Sequence, residues 1–517
     1  MLMPAPITTT ERPNILYIMS DDHAFHAISA YTKRMEGRPV INETPNIDRI
    51  TDEGMLFENC FCTNSLCTPS RAVLLTGKHS HVTGVTTLGT KLNNRLETFP
   101  KLLQKGGYQT AIVGKWHLGH GWRHDPRGFD YWCILPGQGA YHDPRMFEQG
   151  KFRQFRGYAT DIITDLALQW LDRRDKDKPF CLMVHHKAPH RPWEPDEKHK
   201  HMFDGIDVPV PGTFDDDYSE RASAASHADM RIESALNSVD LKVRAPPGIK
   251  WLSLRPPASF EHYELETEEG ERIRFTSAEE LKNWKYQRFI KSYLACCASI
   301  DDNVGRLLDY LDRESLAGNT IVMYTSDNGF FLGDHRWFDK RFMYEESLRN
   351  PFLVRYPPEI LAGSTSNSIV TNLDFAETFL DYAGLPVPAG MQGRSLRPLF
   401  QARVPDDWDD IMYYRYWENG SNPHKVYAHY GIRTPRYKLI YYYCDPLKQK
   451  DAKWDPHEPE WELFDLENDP YELHDVHGKP EYADTFESMK ARLASMQQKI
   501  GDKPYVERRK RSNSYES

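Results

Sequence analysis

Asn14-Ile15-Leu16-Tyr17-Ile18-Met19-Ser20-Asp21-Asp22 is a nearly unbroken apolar run that stops at two adjacent carboxylates. A run without polar alternation suits a strand buried on both faces of a parallel sheet. Ligands of open α/β sheets bind beyond the carboxyl ends of the strands, where Asp21 and Asp22 would stand. Neighbouring carboxylates repel unless a cation lies between them; taken alone, the pair is equally what a solvated turn or helix cap carries. The pattern recurs three times. Gln109–Gly114 delivers Lys115-Trp116-His117, where Lys115 and His117 share a side if the chain stays extended. Pro179–Val184 ends at His185-His186-Lys187-Ala188-Pro189-His190, and Asn319–Ser326 ends at Asp327-Asn328. Phe352-Leu353-Val354 reads as a further short strand, and helical periodicity covers Thr160–Asp172 and about Trp284–Asp312. A doubly wound α/β sheet follows, with all four strand ends on one rim.

The rim chemistry is specific. Asp21, Asp22, Asp327 and the Asn328 amide are hard oxygen donors, which favour Ca²⁺ or Mg²⁺ over zinc. The H-H-x-x-x-H spacing at 185–190 would bind zinc from one helical face, but Pro189 opposes a helix there. Cys67-Thr68-Pro69-Ser70-Arg71 precedes the apolar run Ala72–Leu75 and Gly77. Pro69 suits a first helical turn, and a helix N-terminus attracts anions. By itself the stretch is equally a buried Cys near a helix start. Arg71, Lys115, Lys340 and His190 would surround an anion with positive charge, although the chain of 517 residues carries a net charge of −10.

That net charge gives no reason to expect nucleic acid or an acidic membrane as partner. No stretch approaches the ~20 apolar residues of a membrane span. The eight cysteines form neither C-x-x-C pairs nor a small disulfide framework. With no signal peptide visible before Asn14, a cytoplasmic location is expected, or a periplasmic or secreted one if a leader was removed. Residues 205–285, rich in Pro and acidic groups, read as an irregular, surface-laid insertion. After about residue 404 the texture changes to aromatic strands at Met412–Trp417, Tyr437–Tyr442 and Trp461–Leu466, then a helix over Asp484–Ile500 and a polar, basic tail from Glu507. Two domains are expected: 1–404, with the 205–285 insertion, and 405–517.

Seven landmarks together resemble the type I sulfatases: S-D-D at 20–22, T-P-N-I-D at 44–48, C-T-P-S-R at 67–71, G-K-W-H-L-G at 114–119, K-A-P-H at 187–190, S-D-N-G at 326–329 and L-F-D-L-x-x-D-P-x-E at 463–472. The resemblance implies an alkaline-phosphatase-like fold: a mixed central sheet flanked by helices, with a smaller C-terminal α+β domain. It implies that a maturation enzyme oxidises Cys67 to formylglycine, whose hydrated aldehyde attacks sulfur. Asp21, Asp22, Asp327, Asn328 and the modified Cys67 would hold a metal, usually Ca²⁺, with Mg²⁺ as the variant. Arg71, Lys115, His117, His190 and Lys340 would surround the sulfate, with His190 and Lys340 protonating the leaving alcohol, His117 acting as the later base, and His335 assisting. The stretches at 186–190 and 337–347 resemble carbohydrate sulfatases acting on 6-sulfated N-acetylglucosamine. A small sulfated sugar is therefore the expected substrate, with Tyr141-His142 and the 205–285 insertion as candidate pocket walls. Three alternatives stand beside this: a phosphonate or phosphate ester hydrolase on the same scaffold, an aryl or alkyl sulfatase, and a sugar-sulfate binding protein whose Cys67 is never oxidised.

Overall fold

A computed structural model describes residues 12–245, 248, 251–454 and 457–506. Pro246, Pro247 and the tail from Glu507 lie outside the described residues. At its centre is a ten-stranded mixed sheet. In spatial order its strands are Ser364–Ser366, Met55–Phe57, Phe352–Arg355, Thr320–Ser326, Asn14–Ser20, Phe180–His185, Gln109–Lys115, Tyr131–Leu135, Arg145–Glu148 and Lys151–Gln154. The five from Thr320–Ser326 to Tyr131–Leu135 run parallel. Phe352–Arg355 and Arg145–Glu148 join them antiparallel, one at each flank.

The Asn14–Ser20 strand is buried throughout, as its unbroken apolar run requires. Leu16 and Ile18 pack on one face with the helices Pro45–Asp52, Ala159–Arg173 and Ala278–Arg313. Ile15, Tyr17 and Met19 pack on the other with Cys67–Thr76, Phe99–Lys105 and Asp374–Tyr382. Two layers of helices thus cover the sheet, and the carboxyl ends of four parallel strands open onto one rim.

Two expectations are corrected here. The 205–285 stretch has little regular structure, as expected, but it is not surface-laid. Phe214, Ile232, Leu236, Leu241 and Leu254 are buried in the core beneath the long helix; scattered single apolar residues anchor a chain whose average composition is polar. The long helix also begins earlier, at Ala278. The Ser277 side chain accepts from the Glu280 N–H, and the Glu280 carboxylate accepts from the Thr276 N–H (2.8 Å). This reciprocal cap starts the helix at Ala278, and Leu281 in its first turn already reaches the core.

The C-terminal sheet, Met412–Tyr416, His429–Arg433, Tyr437–Tyr442 and Glu460–Asp465, is antiparallel. One face packs under the helix Ala483–Ile500 through Met489 and Leu493. The other, with Tyr414, Tyr416, Ile440 and Phe464, shares a core with Phe61, Leu66 and Trp337 of the large sheet unit. Glu462 sits in that shared core, accepting from Tyr442 Oη (2.7 Å) and the Ala222 N–H (2.9 Å). Burial, then Asp475, pushes its carboxyl up to about 8. A carboxyl whose folded value is raised contributes stability fully present below its unfolded value and lost as pH rises through the folded one. Glu462→Gln is therefore expected to flatten the stability–pH profile. Between pH 5 and 8 the wild type should lose up to about 1.4 kcal/mol per pH unit relative to the variant. Parallel denaturation profiles from pH 5 to 9 would show that Glu462 is not held neutral.

Among the described residues no helix is long and apolar enough to cross a membrane. All eight cysteines are buried, and none of them is in a disulfide.

Candidate active site

The helix Cys67–Thr76 follows an extended Leu66 and closes on Gly77, whose φ of 60° places it in the left-handed region. The Gly77 N–H returns to Val73 O, and Glu377 oxygens lie 2.7 Å from where a Cβ would be. Glycine ends the helix because no side chain fits. The helix is buried along its whole length and presents Cys67 in its first turn to the rim.

Cys67 Sγ lies 3.3 Å from Asp21 Oδ1 and 3.5 Å from Lys340 Nζ. The metal-ligating atoms of Asp21, Asp22, Cys67 and Asp327 fall within 4.8 Å of one another, and those of Asp21, Cys67 and His190 do likewise. Each carboxylate meets a cation. Lys115 Nζ contacts Asp21, and Lys340 Nζ contacts both oxygens of Asp22. Arg71 Nε donates to Asp327 Oδ2 (2.9 Å) and Arg71 Nη1 to Lys115 O (2.8 Å). Burial pushes Asp22 up to about 6 against the pull of Lys340. Burial also acts to raise Asp327, but Arg71, Lys115 and Lys340 together hold it below its ordinary value. Burial pulls the Lys115 amine well down, with the Asp327 carboxylate acting the other way and Lys340 and Lys187 adding to the fall. The Cys67 thiol is pushed up by burial, so the unmodified side chain is a poor nucleophile.

The site also fits a further cation. Asn328 Nδ2 donates to Asp22 Oδ1 (2.7 Å), leaving Asn328 Oδ1 buried without a partner. An orphaned amide oxygen beside three carboxylates is an oxygen donor set for a hard divalent ion.

Histidine placement is mixed. His190 Nδ1 faces Arg191 O (2.6 Å), so this nitrogen carries the proton, and Nε2 points at Asp22 Oδ2, 3.8 Å away. His117 stands behind Thr68, with Nδ1 3.4 Å from Thr68 Oγ1. The chain is not extended there: Lys115 ends its strand at the rim, and His117 follows in a turn with a φ of 54°. Burial, then the neighbouring cations, holds both imidazoles well below their ordinary value. Asp22, Asp339 and Arg341 also have positive φ (69°, 80° and 99°), and such backbone strain gathers at functional sites.

His335 is the misplaced member of the expected set. It is fully buried, with Nδ1 2.9 Å from Asp216 and Nε2 3.8 Å from Glu346, and among the described residues it bonds to none of the cluster. Its run, Gly333-Asp334-His335, fastens the insertion to the large sheet unit. The 185–190 histidines do not converge either: His185 Nδ1 faces Lys115 O (3.3 Å), and both ring nitrogens of His186 are buried without partners. Tyr141 is a support rather than a wall. It is buried, and its hydroxyl donates to His190 O (2.6 Å), while His142 is exposed.

Sequence reasoning passed over five participants. Lys187 is buried over the Tyr141 ring, 4.4 Å from its centroid, and burial lowers its amine to about 8. Gln138 Oε1 accepts from Lys115 Nζ (2.5 Å). Beside Lys340, Asp339 contacts Arg341 and lies 3.2 Å from His424 Nε2 and 3.9 Å from Arg191 Nη1. Lys187 and Asp339-Arg341 lie within motifs read for one residue each, whereas Gln138 and His424 have no local signal.

The sulfatase family model matches residues 13–385, and that of the N-sulphoglucosamine sulphohydrolase C-terminal region matches 333–499. An N-acetylglucosamine-6-O-sulfatase of Bacteroides thetaiotaomicron is 45% identical over 511 residues, covering 95% of this chain and 88% of that protein. Human N-acetylglucosamine-6-sulfatase is 26% identical, covering 80% and 69%. A solved structure of a protein in complex with its substrate D-glucosamine-2-N,6-O-disulfate superimposes with a TM-score of 0.83 at 42% identity, covering 95% and 98%. Phosphonate monoester hydrolase of Agrobacterium radiobacter shares the fold at a TM-score of 0.68 and 20% identity, covering 95% and 96%. With the strand-end cluster gathered around Cys67 and the family model spanning most of the length, the chain belongs to the sulfatase family.

Proposed function

We propose that the chain hydrolyses the 6-sulfate ester of a small glucosamine-type sugar, using formylglycine formed from Cys67 and a divalent cation, Ca²⁺ or Mg²⁺. The observation that carries the reading is the placement of Cys67 Sγ between Asp21 and Lys340 in a buried cluster of matched charges. The relatives support the sugar: the one 45% identical is named for N-acetylglucosamine 6-sulfate, and the 42% identical structure holds a glucosamine disulfate. Cys67 conversion requires a maturation enzyme as partner. The division into units 1–404 and 405–517 belongs to the same proposal, supported by the change to an antiparallel sheet at Met412.

Asp21, Asp22, Asp327 and Asn328 Oδ1, with residue 67, would hold the ion, which when bound supplies Lewis-acid stabilisation of charge on the sulfuryl oxygens. Formylglycine supplies the nucleophilic oxygen that a thiol lacks. Arg71 and Lys115, fixed by Asp327 and Asp21, orient the sulfate and offset its charge without reorganising. Lys340 Nζ reaches both Asp22 and residue 67, so it donates a hydrogen bond on the reacting side. His190 keeps its Nδ1 proton on Arg191 O and moves a second proton at Nε2, to the leaving oxygen. Arrival of the sulfate anion favours the charged imidazole that this needs. His117, held neutral by burial and the cations, is the base. Asp339, Arg341 and His424, next along the chain and in space from Lys340, form a polar wall suited to sugar hydroxyls.

The test is a panel of kcat/KM values on N-acetylglucosamine and glucosamine 6-sulfates, their 3-sulfates, galactose 6-sulfate, 4-nitrophenyl sulfate and matched phosphate and phosphonate esters. The 6-sulfated glucosamines are expected to lead the other sugars by about 10³ or more, because a hydrogen-bonding pocket rejects analogues that leave its groups unpaired. Inert sugar sulfates beside efficient turnover of 4-nitrophenyl sulfate would overturn the sugar. A faster phosphonate would overturn the sulfate.

A further inference from the structure

The chain carries a net charge of −10, yet between Lys91 and Arg127 seven Lys or Arg stand against two Asp or Glu. One of the seven is Lys115 of the cluster. Several of the others gather at the surface, where Asn94, Arg95, Lys101, Trp122, Arg123 and Arg127 line one open cavity of about 330 Å³. Two loops build it. Asn94 Nδ2 donates to Trp122 O (2.8 Å), the Asn94 N–H to Arg123 O (2.9 Å), and His124 Nδ1 faces Leu92 O (2.7 Å). Lys101 Nζ braces the first loop through Leu96 O (2.6 Å).

The arginines of this patch are unpaired, and of its cations only Lys101 feels a nearby acid, Glu97. Among the described residues Arg95, Lys101, Arg123 and Arg127 form no ion pair with a carboxylate, whereas surface arginines such as Arg153, Arg272 and Arg306 each do. Of the two acids, Asp125 is turned inward onto the Gly121 N–H (2.7 Å). Trp122 is 73% exposed, with the Arg123 guanidinium over its ring at 5.2 Å. Gathering like charges and a bare indole with little compensation costs stability, and it suits a polyanion with apolar ring faces. The loop that carries the patch follows directly from Lys115 and His117. Trp122 is five residues beyond His117, at most about 18 Å of chain.

We infer that the Arg95–Arg123–Arg127–Trp122 patch is a binding surface for the remainder of a sulfated glycan whose terminal sugar occupies the active site. Guanidinium groups take the sulfates, and Trp122 packs against a sugar face. This rests on the sugar-sulfate reading for the class of its ligand. It extends that reading from a single sugar to an oligosaccharide.

The test pairs wild type with Arg123→Gln/Arg127→Gln, Trp122→Ala and Arg123→Lys/Arg127→Lys, using a size-defined heparin hexasaccharide as probe. Binding is measured by calorimetry across a salt series, and turnover of N-acetylglucosamine 6-sulfate alongside. The double Gln variant is expected to bind the hexasaccharide about tenfold more weakly at low salt. Its plot of log affinity against log salt should be shallower by about two, as for the loss of two polyanion contacts. The double Lys variant should stay within about threefold of wild type, and monosaccharide turnover should not change. Unaltered hexasaccharide binding by the Gln variant, no binding by wild type, or equal losses on the monosaccharide would each overturn the assignment. So would equal or tighter binding of single-stranded DNA of matched charge. If no sugar sulfate is turned over while the hexasaccharide difference persists, the activity reading fails and the patch stands.

Discussion

Cys67→Ala is expected to lower turnover by about 10⁴ or more, since removing a covalent nucleophile leaves only binding and electrostatic stabilisation. Stability should hardly change. The side chain is buried, but it is small, and Sγ is touched by a carboxylate and an amine that also pair elsewhere: Asp21 with Lys115, Lys340 with Asp22. Deleting it leaves neither charge without a partner. Cys67→Ser is the sharper control, keeping a hydroxyl of similar size but no aldehyde. Peptide mass spectrometry of active wild type should show formylglycine or its hydrate at position 67. An intact thiol in a fully active preparation would sink the mechanism, and so would an alanine variant that keeps its rate. Thermal unfolding of both variants within about 2 °C of wild type would separate lost chemistry from lost structure, because 1 kcal/mol shifts a protein of 150–250 residues by only 2–4 °C and a longer one by less.

Much of this site is legible in the sequence for a physical reason. A strand buried on both faces must be apolar along its length, so its first polar residues mark where it leaves the sheet. Ser20-Asp21-Asp22, Lys115 and Ser326-Asp327-Asn328 each stand at such an exit, and parallel pairing of Asn14–Ser20 with Thr320–Ser326 puts Ser20 opposite Ser326. The same reasoning fails where the signal is tertiary. His429–Arg433, an inner strand of the C-terminal sheet, reads His-Tyr-Gly-Ile-Arg, where Tyr430 and Ile432 alone alternate around a glycine, too short a pattern to mark a strand. It is a strand because its neighbours Met412–Tyr416 and Tyr437–Tyr442 pair with it on both edges. Its Gly431 is required by close approach: an added Cβ would lie 2.1 Å from Leu439 O. Tyr131–Leu135 was passed over because it is short and follows a polar loop, yet it completes the parallel set.

Motif reading also cannot say which way a side chain turns. His335 lies in a stretch rich in family landmarks, but Gly333 at φ 100° and His335 at φ 54° turn it towards Asp216 and away from the sulfate cluster. Lys187 is the converse. It sits in the same four-residue landmark as His190, and only the fold shows its amine against Tyr141, whose hydroxyl in turn holds the His190 carbonyl.

The last expectation uses the charge balance of the cluster, and it gives opposite signs for two substitutions. Asp21, Asp22 and Asp327 face Lys115, Lys340 and Arg71, three acids paired with three bases within one buried site, so that the set as a whole is neutral however each proton is shared. A divalent ion enters a neutral set and makes it attractive to a sulfate ester. Unit charges 4 Å apart at an effective dielectric of about 20 interact by about 4 kcal/mol, so one charge changed here outweighs any neutral contact. Asp327→Asn leaves the site one positive charge in excess. Metal affinity should fall by at least about 10², and turnover should be lost with it. Arg71 Nε keeps an amide oxygen to bond, so the fold should survive where Asp327→Ala would strand a buried guanidinium. Lys340→Gln leaves one negative charge in excess. The metal should bind more tightly than in wild type, yet kcat/KM should fall by about 10² or more, because the amine that reaches residue 67 and would donate to the reacting oxygens is gone. Metal content by elemental analysis after graded chelation, read beside turnover, distinguishes the two variants. If both weaken the metal alike, the cluster is a packing unit that fails whenever it is cut. If a rigorously metal-free wild type keeps full activity, the carboxylates hold only the three cations already seen.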